Sequence, residues 1–318
     1  MAAEAAAVSA AHPRLTALIE SARDAPLAVT AIVYPADVAV VEAALVAARL
    51  GIMEPVFYGP VNAQAHLIAA GASSAQFRWV DTGDLPREAA RVAVADAAAG
   101  RVALLMKGSL HTDELLGAVL ARDSGLRGTG RLTHTFVFDL PRYHKLLAVT
   151  DAVVNIAPDL QTKAECLIHA IELMRFMGVT APKIAVLSAI ETVLASIPAT
   201  LDARTLTEWG AAGRFGKAIV EGPFGFDNAI SARAAAIKGI VSAVAGDPDI
   251  LLMPDLNSGN ILYKSFVYIG GGECAGVVQG GRVPIVLTSR ADSLFSRVAS
   301  CALARISFGQ TGYSAPIC

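Results

Sequence analysis

The chain has 318 residues, of which 54% are hydrophobic and 17% charged, and its formal net charge is −2. This composition supplies a large buried core and excludes an intrinsically disordered protein. The near-neutral charge excludes broad attraction to nucleic acid or to an anionic membrane, so we expect neither partner. The length exceeds the size at which one core usually keeps growing, which favours two domains.

The first hundred residues alternate between predicted helices and predicted strands. Helical spacing of apolar residues occurs at 13–23, 36–52, 61–72 and 86–100. Apolar runs that indicate strands lie at 27–34, 55–59, 76–82 and 102–108. This alternation predicts an α/β fold with a parallel sheet covered on both faces and joined by right-handed crossovers.

The rest of the chain continues in the same class. Further strands are predicted at 132–140, 151–158, 183–189, 249–255, 274–280 and 283–289. Further helices are predicted at 160–179, 227–245, 258–270 and 291–306. Ligands of such folds bind beyond the carboxyl ends of the strands, so the loops that follow strands are the candidate sites.

The cysteines and the N-terminus predict a compartment. Four cysteines, Cys166, Cys274, Cys301 and Cys318, have no CxxC spacing and no histidine partners at zinc-site intervals. The N-terminal MAAEAAAVSAAHPRL lacks a basic segment, and no uncharged apolar run has transmembrane length. We therefore expect a soluble cytoplasmic protein with free thiols and no metal.

The first unusual loop is MKGSLHTDELL, residues 106–116. A strand ends at Lys107, and Thr112 is the expected N-cap of the next helix. Lys107 and the segment around Ser109 could hold an anion near that helix start, although two acidic residues in the first turn oppose one. A capped surface helix is the alternative, with His111 either a general base or an ordinary loop residue.

The second loop, GLRGTGRLTHTFVFDLPRYHK at 125–145, carries several arginines in a glycine-rich span. Arg127, Arg131 and Arg142 could bind phosphate groups. The alternative is that they are solvated loop residues.

The third loop is LLMPDLNSGNILYK, residues 251–264. A helix start needs one capping residue, for which Asn257 or Ser258 is expected, but four short polar residues occur in six positions. The excess favours hydrogen bonds to a ligand. The candidate substrate-binding residues here are Asp255, Asn257, Ser258, Asn260 and Lys264.

The fourth loop is VPIVLTSRADSLFSR, residues 283–297. Backbone N–H groups near Ser289 and the guanidinium of Arg290 could stabilise developing negative charge. Asp292 could accept a proton. The alternative is that Ser289 or Asp292 is an N-cap and Arg290 lies on the surface.

Several common motifs are missing, and their absence bears on cofactors. No strand is followed by GxGxxG, and GxxxxGK[ST], HExxH and GxSxG do not occur. We therefore expect no resident cofactor.

The ordered string DILLMPDLNSGNILYKSFVYIGGGECAGVVQGGRVPIVLTSRADS (249–293) resembles the phosphate acetyltransferase and phosphate butyryltransferase family. The segments 106–116 and 150–178 support the resemblance, which spans about residues 100 to 306, and LTSRADS is closer to the butyryl branch. The resemblance implies two Rossmann-like three-layer α/β/α domains with a cleft between them, similar to isocitrate and isopropylmalate dehydrogenases. Residues 1–132 with 285–318 would form the first domain, 133–284 the inserted second domain, and two chains a homodimer.

The resemblance also implies the reaction, which is reversible transfer of a short acyl group, acetyl or butyryl, from acyl-CoA to orthophosphate. The products are acyl phosphate and CoA, and no cofactor is needed. Ser289 and Arg290 match the Ser–Arg pair of the family, with Ser289 at the carbonyl or the leaving sulfur and Arg290 at the phosphate. No acyl-enzyme is needed, because both substrates can be held together.

The chain departs from the acetyl branch at the expected base. There a glycine follows the arginine, and an aspartate stands seven residues after the serine, whereas here the two positions are Ala291 and Ser296. Asp292 would have to serve instead. The place of an acetyl-branch arginine is Gly117, for which Arg127 or Arg142 could compensate.

Two other functions stay open at this point. A metal-dependent decarboxylating hydroxyacid dehydrogenase would need clustered carboxylates, for which Asp247, Asp249 and Asp255 are nearest in sequence. A non-catalytic relative would bind acyl-CoA or phosphate but release no thiol.

Overall fold

The computed structural model describes residues 8–128, 130–289 and 291–310. Their contacts form two compact units. The first takes the described residues up to Leu132 and from Cys274 onward, and the second is Thr133–Glu273. The chain is mixed α/β in both units.

The strands, in chain order, are β1 Ala28–Val33, β2 Met53–Gly59, β3 Arg78–Asp81, β4 Leu104–Lys107, β5 Thr133–Asp139, β6 Leu147–Thr150, β7 Lys183–Leu187, β8 Ile219–Phe224, β9 Ile250–Leu252, β10 Glu273–Gln279 and β11 Ile285–Val286. The helices are α1 Pro13–Ser21, α2 Val38–Arg49, α3 Ala65–Ala69, α4 Pro86–Ala98, α5 Thr112–Leu120, α6 Leu160–Phe176, α7 Pro198–Ala211, α8 Phe226–Ile230, α9 Ala232–Ile237, α10 Leu256–Tyr268 and α11 Leu294–Gln310. Short 3₁₀ turns lie at Ala22–Asp24, Val61–Gln64 and Ser74–Gln76.

The sheet of the first unit has the strand order β3-β2-β1-β4-β11-β10. Its strands pair in parallel, except that β10 runs antiparallel to β11. The parallel sheet predicted from the alternating pattern is therefore present in this unit. The chain returns to the first unit at Cys274, where β10 pairs with β11. The resemblance implied that this return occurs later, at residue 285.

Helices of two groups cover this sheet. One group contains α1, α2 and α11, and the other contains α4 and α5. Helix α4 packs closely because its buried positions are mostly alanine. Helix α11 is fastened at Arg305, whose guanidinium donates to the carbonyls of Pro26 and Gly51. Burial of the charge lowers the pKa of Arg305. The hydrogen bonds to the carbonyls compensate the cost of that burial.

The sheet of the second unit has the order β5-β6-β9-β7-β8, with β5 antiparallel to β6 and the other pairs parallel. An aromatic cluster packs on β5, where the rings of Phe136 and Tyr263 stack with centroids 4.3 Å apart. This contact fixes α10 against the sheet.

Several predicted elements are wrong in place or extent. The strand predicted at 151–158 does not form. Strand β6 lies just before it and ends at Thr150, because the Asp151 carboxylate accepts the N–H groups of Val153 and Val154 and forms a turn. The predicted helix at 61–72 is a 3₁₀ turn followed by α3, and the predicted helix at 227–245 breaks into α8 and α9. The patterns gave no signal for α7 or β8. Within the described residues, no helix combines the length and apolarity that a membrane crossing needs.

Candidate active site

A pocket of about 430 Å³ lies in the first unit, at the carboxyl ends of β1, β4 and β11. Its lining residues come from the segments that follow these strands and from α2, α3 and α11. They are Ala36, Asp37, Val38, Val40, His66, Lys107, Gly108, Ser109, Thr288, Ser289 and Arg297. The position agrees with the rule that ligands of open α/β sheets bind beyond the carboxyl ends of the strands.

The turn after β4 is fastened to the end of β1 through Gly108. The Gly108 N–H donates to the Val33 carbonyl and the Ser109 N–H to the Tyr34 carbonyl, each at 2.8 Å. A Cβ at position 108 would fall on those two carbonyl oxygens and lie 2.8 Å from the Tyr34 carbonyl carbon, so only glycine fits. Tyr34 itself has a φ of +57°, which bends the chain toward α2 at this point. This close approach sets the positions of Lys107 and Ser109.

Lys107 and Ser109 are buried polar groups in the pocket wall. Lys107 is 9% exposed, and its Nζ donates to the Gly108 carbonyl at 3.3 Å. The buried Ser109 Oγ has no hydrogen-bond partner among the described residues. Leaving a buried hydroxyl unpaired costs about 1–3 kcal/mol, so this oxygen is a strong candidate for a ligand contact.

The loop after β11 is held by Arg297, which is 3% exposed. Its Nη2 donates to the Ser289 carbonyl at 3.1 Å and its Nε to the Asp292 carbonyl at 3.2 Å. The Asp292 carboxylate accepts the Ser289 N–H at 2.6 Å. Arg297 therefore fixes the loop that carries Ser289 and also lines the pocket.

The expected helix cap of this loop is wrong. The Ser293 hydroxyl accepts the Ser296 N–H at 3.0 Å, so Ser293, rather than Ser289 or Asp292, serves the first turn of α11. Arg290 lies outside the described residues.

Three of the predicted residues meet in this pocket, namely Lys107, Ser109 and Ser289. Asp292 borders it through its bond to Ser289. The patterns missed Arg297 and His66. Arg297 had one signal, because it is a single cation in the small and apolar stretch LFSRVASCALA. His66 had none, because its neighbours show only helical spacing.

Two other predicted residues of the first unit lie away from the pocket lining. Thr112 is not the N-cap of α5; His111 holds that position, and its N–H donates to Glu114 at 2.9 Å. Arg127 is exposed in the loop after α5. A substrate role for either residue stays a prediction.

The polar cluster of the third loop lies in the second unit, where it fastens α10. The Asp255 carboxylate accepts the Ser258 N–H at 2.9 Å, so the cap is Asp255, and the expected cap at Asn257 or Ser258 is wrong. The Ser258 hydroxyl donates to the Asp255 carbonyl, and the Asn260 amide donates to the Ala152 carbonyl. Much of the excess of short polar residues is thus explained by local structure.

The remaining candidates of the second unit are exposed side chains, namely Asn257, Lys264 and Arg142. Substrate contacts of these residues, and of Asp255, Ser258 and Asn260, stay predictions.

Two of the three carboxylates considered for a metal site, Asp247 and Asp249, form ion pairs, whereas Asp255 caps a helix. Lys145 Nζ lies 2.9 Å from Asp247 and 2.7 Å from Asp249, and Lys183 Nζ lies 2.6 Å from Asp247. Burial alone would raise the pKa of Asp247, but hydrogen bonds from Lys183, Lys145 and His144 outweigh it and lower that pKa. Across the described part of the chain, no group of three His, Cys, Asp or Glu residues is placed to hold a metal.

Comparison with known proteins gives consistent matches. The family model described as Phosphate acetyl/butaryl transferase matches residues 81–305. The phosphate acetyltransferase of Rhizobium meliloti is 44% identical over 91% of this chain and 92% of its own, and the phosphate butyryltransferase of Clostridium beijerinckii is 33% identical over 91% and 96%. A solved branched-chain phosphotransacylase from Enterococcus faecalis V583 is similar with a TM-score of 0.77 and 29% identity, over 88% of this chain and 99% of that one.

Proposed function

Since the chain belongs to the Phosphate acetyl/butaryl transferase family, we propose that the pocket of its first unit binds orthophosphate beside the acyl carbon of an acyl-CoA. The protein is a phosphate acyltransferase. One observation carries the assignment of the site, which is that Lys107, Ser109, Ser289 and Arg297 line one pocket at the ends of adjacent parallel strands.

Orthophosphate fits the charge and donors of this pocket. Lys107 and Arg297 provide two buried cations, and charge-assisted hydrogen bonds to phosphate are stronger than neutral ones. The Ser109 hydroxyl, which has no partner among the described residues, would give a phosphate oxygen a further donor. Arg290 joins this set by resemblance.

The acyl carbon would then lie next to Ser289. In the forward reaction a phosphate oxygen attacks the thioester carbonyl, the C–O bond forms, the C–S bond breaks and CoA leaves as a thiolate. Negative charge develops on the carbonyl oxygen, and the Ser289 hydroxyl donates to that oxygen or to the departing sulfur. Donors fixed in place before the reaction stabilise such charge without reorganisation. The tie of Arg297 to the Ser289 carbonyl keeps this donor in place.

We propose direct attack within a ternary complex, with CoA and phosphate as substrates and no resident cofactor. Holding both substrates together removes the need for a covalent intermediate. The direct test is exchange of isotopically labelled CoA into acyl-CoA without phosphate. We expect no exchange above the level of a phosphate-free blank, whereas rapid exchange would establish an acyl-enzyme and refute this order of events.

Phosphate-dependent CoA release tests the assignment of the site. The substrates are acyl-CoAs from acetyl to hexanoyl, because the relatives carry both acetyl and butyryl names. We expect turnover with at least one short acyl-CoA and a large loss in Ser289→Ala and Arg290→Ala. CoA binding without turnover would favour a non-catalytic binding role instead.

Homodimer formation is proposed with a specific surface. Helix α10 and the residue after it present Ile261, Tyr268 and Ile269, which are 66%, 67% and 88% exposed. Such apolar exposure is a signature of association. Light scattering of the purified chain should give the mass of a dimer, and Ile261→Asp with Ile269→Asp should give that of a monomer. An unchanged mass would exclude this surface.

We propose that each unit is a Rossmann-like three-layer domain, which the two helix groups around the first sheet support. We also propose a reducing, cytoplasmic location, because the described cysteines Cys166, Cys274 and Cys301 are free and buried. Alkylation of the protein after unfolding without reductant should label all three.

A further inference from the structure

The acyl transfer requires the transfer of one proton, and the roles given above assign no residue to that step. When orthophosphate attacks as its monoprotonated dianion, its proton must end on the CoA sulfur, and the reverse reaction must return it. The aspartate expected from the acetyl branch is replaced by Ser296, whose hydroxyl is buried and accepts the Cys274 N–H at 3.0 Å. Asp292 is not among the lining residues, and its carboxylate accepts the Ser289 N–H.

The titratable groups that line the pocket limit which residue can transfer the proton. Among the residues that the structure describes, they are Asp37, His66, Lys107 and Arg297. The Asp37 carboxylate caps α2 by accepting the Ala39 N–H at 2.8 Å. Lysine and arginine are cations at neutral pH and fit phosphate binding better than proton acceptance. Imidazole, by contrast, exchanges protons near neutral pH.

His66 is well placed for this exchange. It lies on α3, which packs against α2, and the N-terminal part of α2 lines the same pocket. Its side chain is half-buried, and no hydrogen bond or ion pair within the described chain engages it. Both ring nitrogens therefore remain for a substrate.

We propose that His66 is the proton carrier of the acyl transfer, and this inference rests on the proposed function of the pocket. In the forward direction the neutral imidazole takes the proton of the attacking phosphate and delivers it to the CoA thiolate as the C–S bond breaks. In the reverse direction it takes the thiol proton, the thiolate attacks the acyl phosphate, and the departing phosphate receives the proton. One proton is transferred in each direction, so no further reactant is needed.

The test measures the reverse reaction, acyl phosphate with CoA, across pH 5.5 to 9 in the full chain. We expect His66→Asn and His66→Gln to lower kcat by about 10²- to 10⁴-fold, the usual range for general acid–base catalysis, with a much smaller change in the KM of acyl phosphate. The variants should also lose the fall in kcat on the acid side. Added imidazole should restore part of the activity of His66→Ala, which a merely structural role would not allow.

Two further variants complete the design. His144→Asn removes an exposed histidine of the second unit and should leave kcat and its pH profile unchanged. If His66→Asn keeps its kcat and acid limb while Asp292→Asn loses both, Asp292 is the proton acceptor and the proposal is wrong. Wild-type protein without phosphate-dependent CoA release would overturn the proposed function itself, a result distinct from a failure of the His66 variants alone.

Discussion

Replacing Gly108 with alanine tests whether the approach of the β4 turn to β1 sets the active-site geometry. The new methyl group would occupy the space of the Val33 and Tyr34 carbonyl oxygens, so the backbone must move. Overpacking costs about 1–3 kcal/mol, and the two backbone hydrogen bonds of Gly108 and Ser109 contribute about 0.5–1.5 kcal/mol each. The expected loss is about 2–6 kcal/mol of unfolding free energy, a large share of the 5–15 kcal/mol typical of a folded domain.

Activity should fall more than stability alone explains. The shift displaces Lys107 and Ser109 from the phosphate position, and a misplacement of about 1 Å can cost 10²-fold in rate. Urea unfolding gives the stability change, and phosphate-dependent CoA release under conditions where the variant stays folded gives kcat/KM. We expect kcat/KM to fall by at least about 10²-fold.

A matched substitution separates this effect from a general response to added methyl groups. Gly117 lies exposed inside α5, and a Cβ there meets no atom within 4 Å. Gly117→Ala should therefore stabilise the chain by up to about 1 kcal/mol through helix propensity. If Gly108→Ala unfolds like wild type and keeps its kcat/KM, the steric account of this turn is wrong.

Three other changes have defined outcomes. Ser109→Ala should leave the unfolding free energy unchanged or raise it by up to about 1–3 kcal/mol, because it removes a buried hydroxyl without a partner, and it should raise the KM of phosphate; an unchanged KM in steady-state kinetics would count against this contact. Arg297→Lys should lower both the unfolding free energy and, under conditions where the variant stays folded, kcat/KM. Arg305→Lys changes a buried arginine that binds carbonyls away from the pocket, so it should lower the unfolding free energy alone. Equal values of kcat/KM for the two variants would remove Arg297 from the site. Burial, opposed by the charge of Asp151, lowers the pKa of His134 from its ordinary 6.5 to about 4. The unfolding free energy should therefore fall by about 3 kcal/mol as the pH drops from 6.5 toward 4. Urea unfolding at several pH values should show a weaker pH dependence for His134→Phe, and an unchanged pH dependence would contradict this account.

Much of the architecture followed from local patterns. The parallel strands of the first unit are continuous apolar runs separated by helices, and such runs fit only a sheet covered on both faces. Patterns failed where a side chain competed with the backbone. The Asp151 carboxylate forms a turn where the apolar residues of 151–158 predicted a strand. The short polar residues at 255–260 cap α10 and bind it to the neighbouring backbone instead of only facing a ligand.

The sequence by itself determined the family, the α/β class and three residues of the pocket, because ordered motifs and strand ends are local properties. The tertiary structure decided which of the candidate residues meet. His66, Lys107 and the segment from Ser289 to Arg297 are far apart along the chain. They share one pocket because parallel pairing brings the carboxyl ends of β1, β4 and β11 to the same edge, with α3 held beside them by α2. No local pattern contains that register, since it is fixed only when the strands pair and the helices pack.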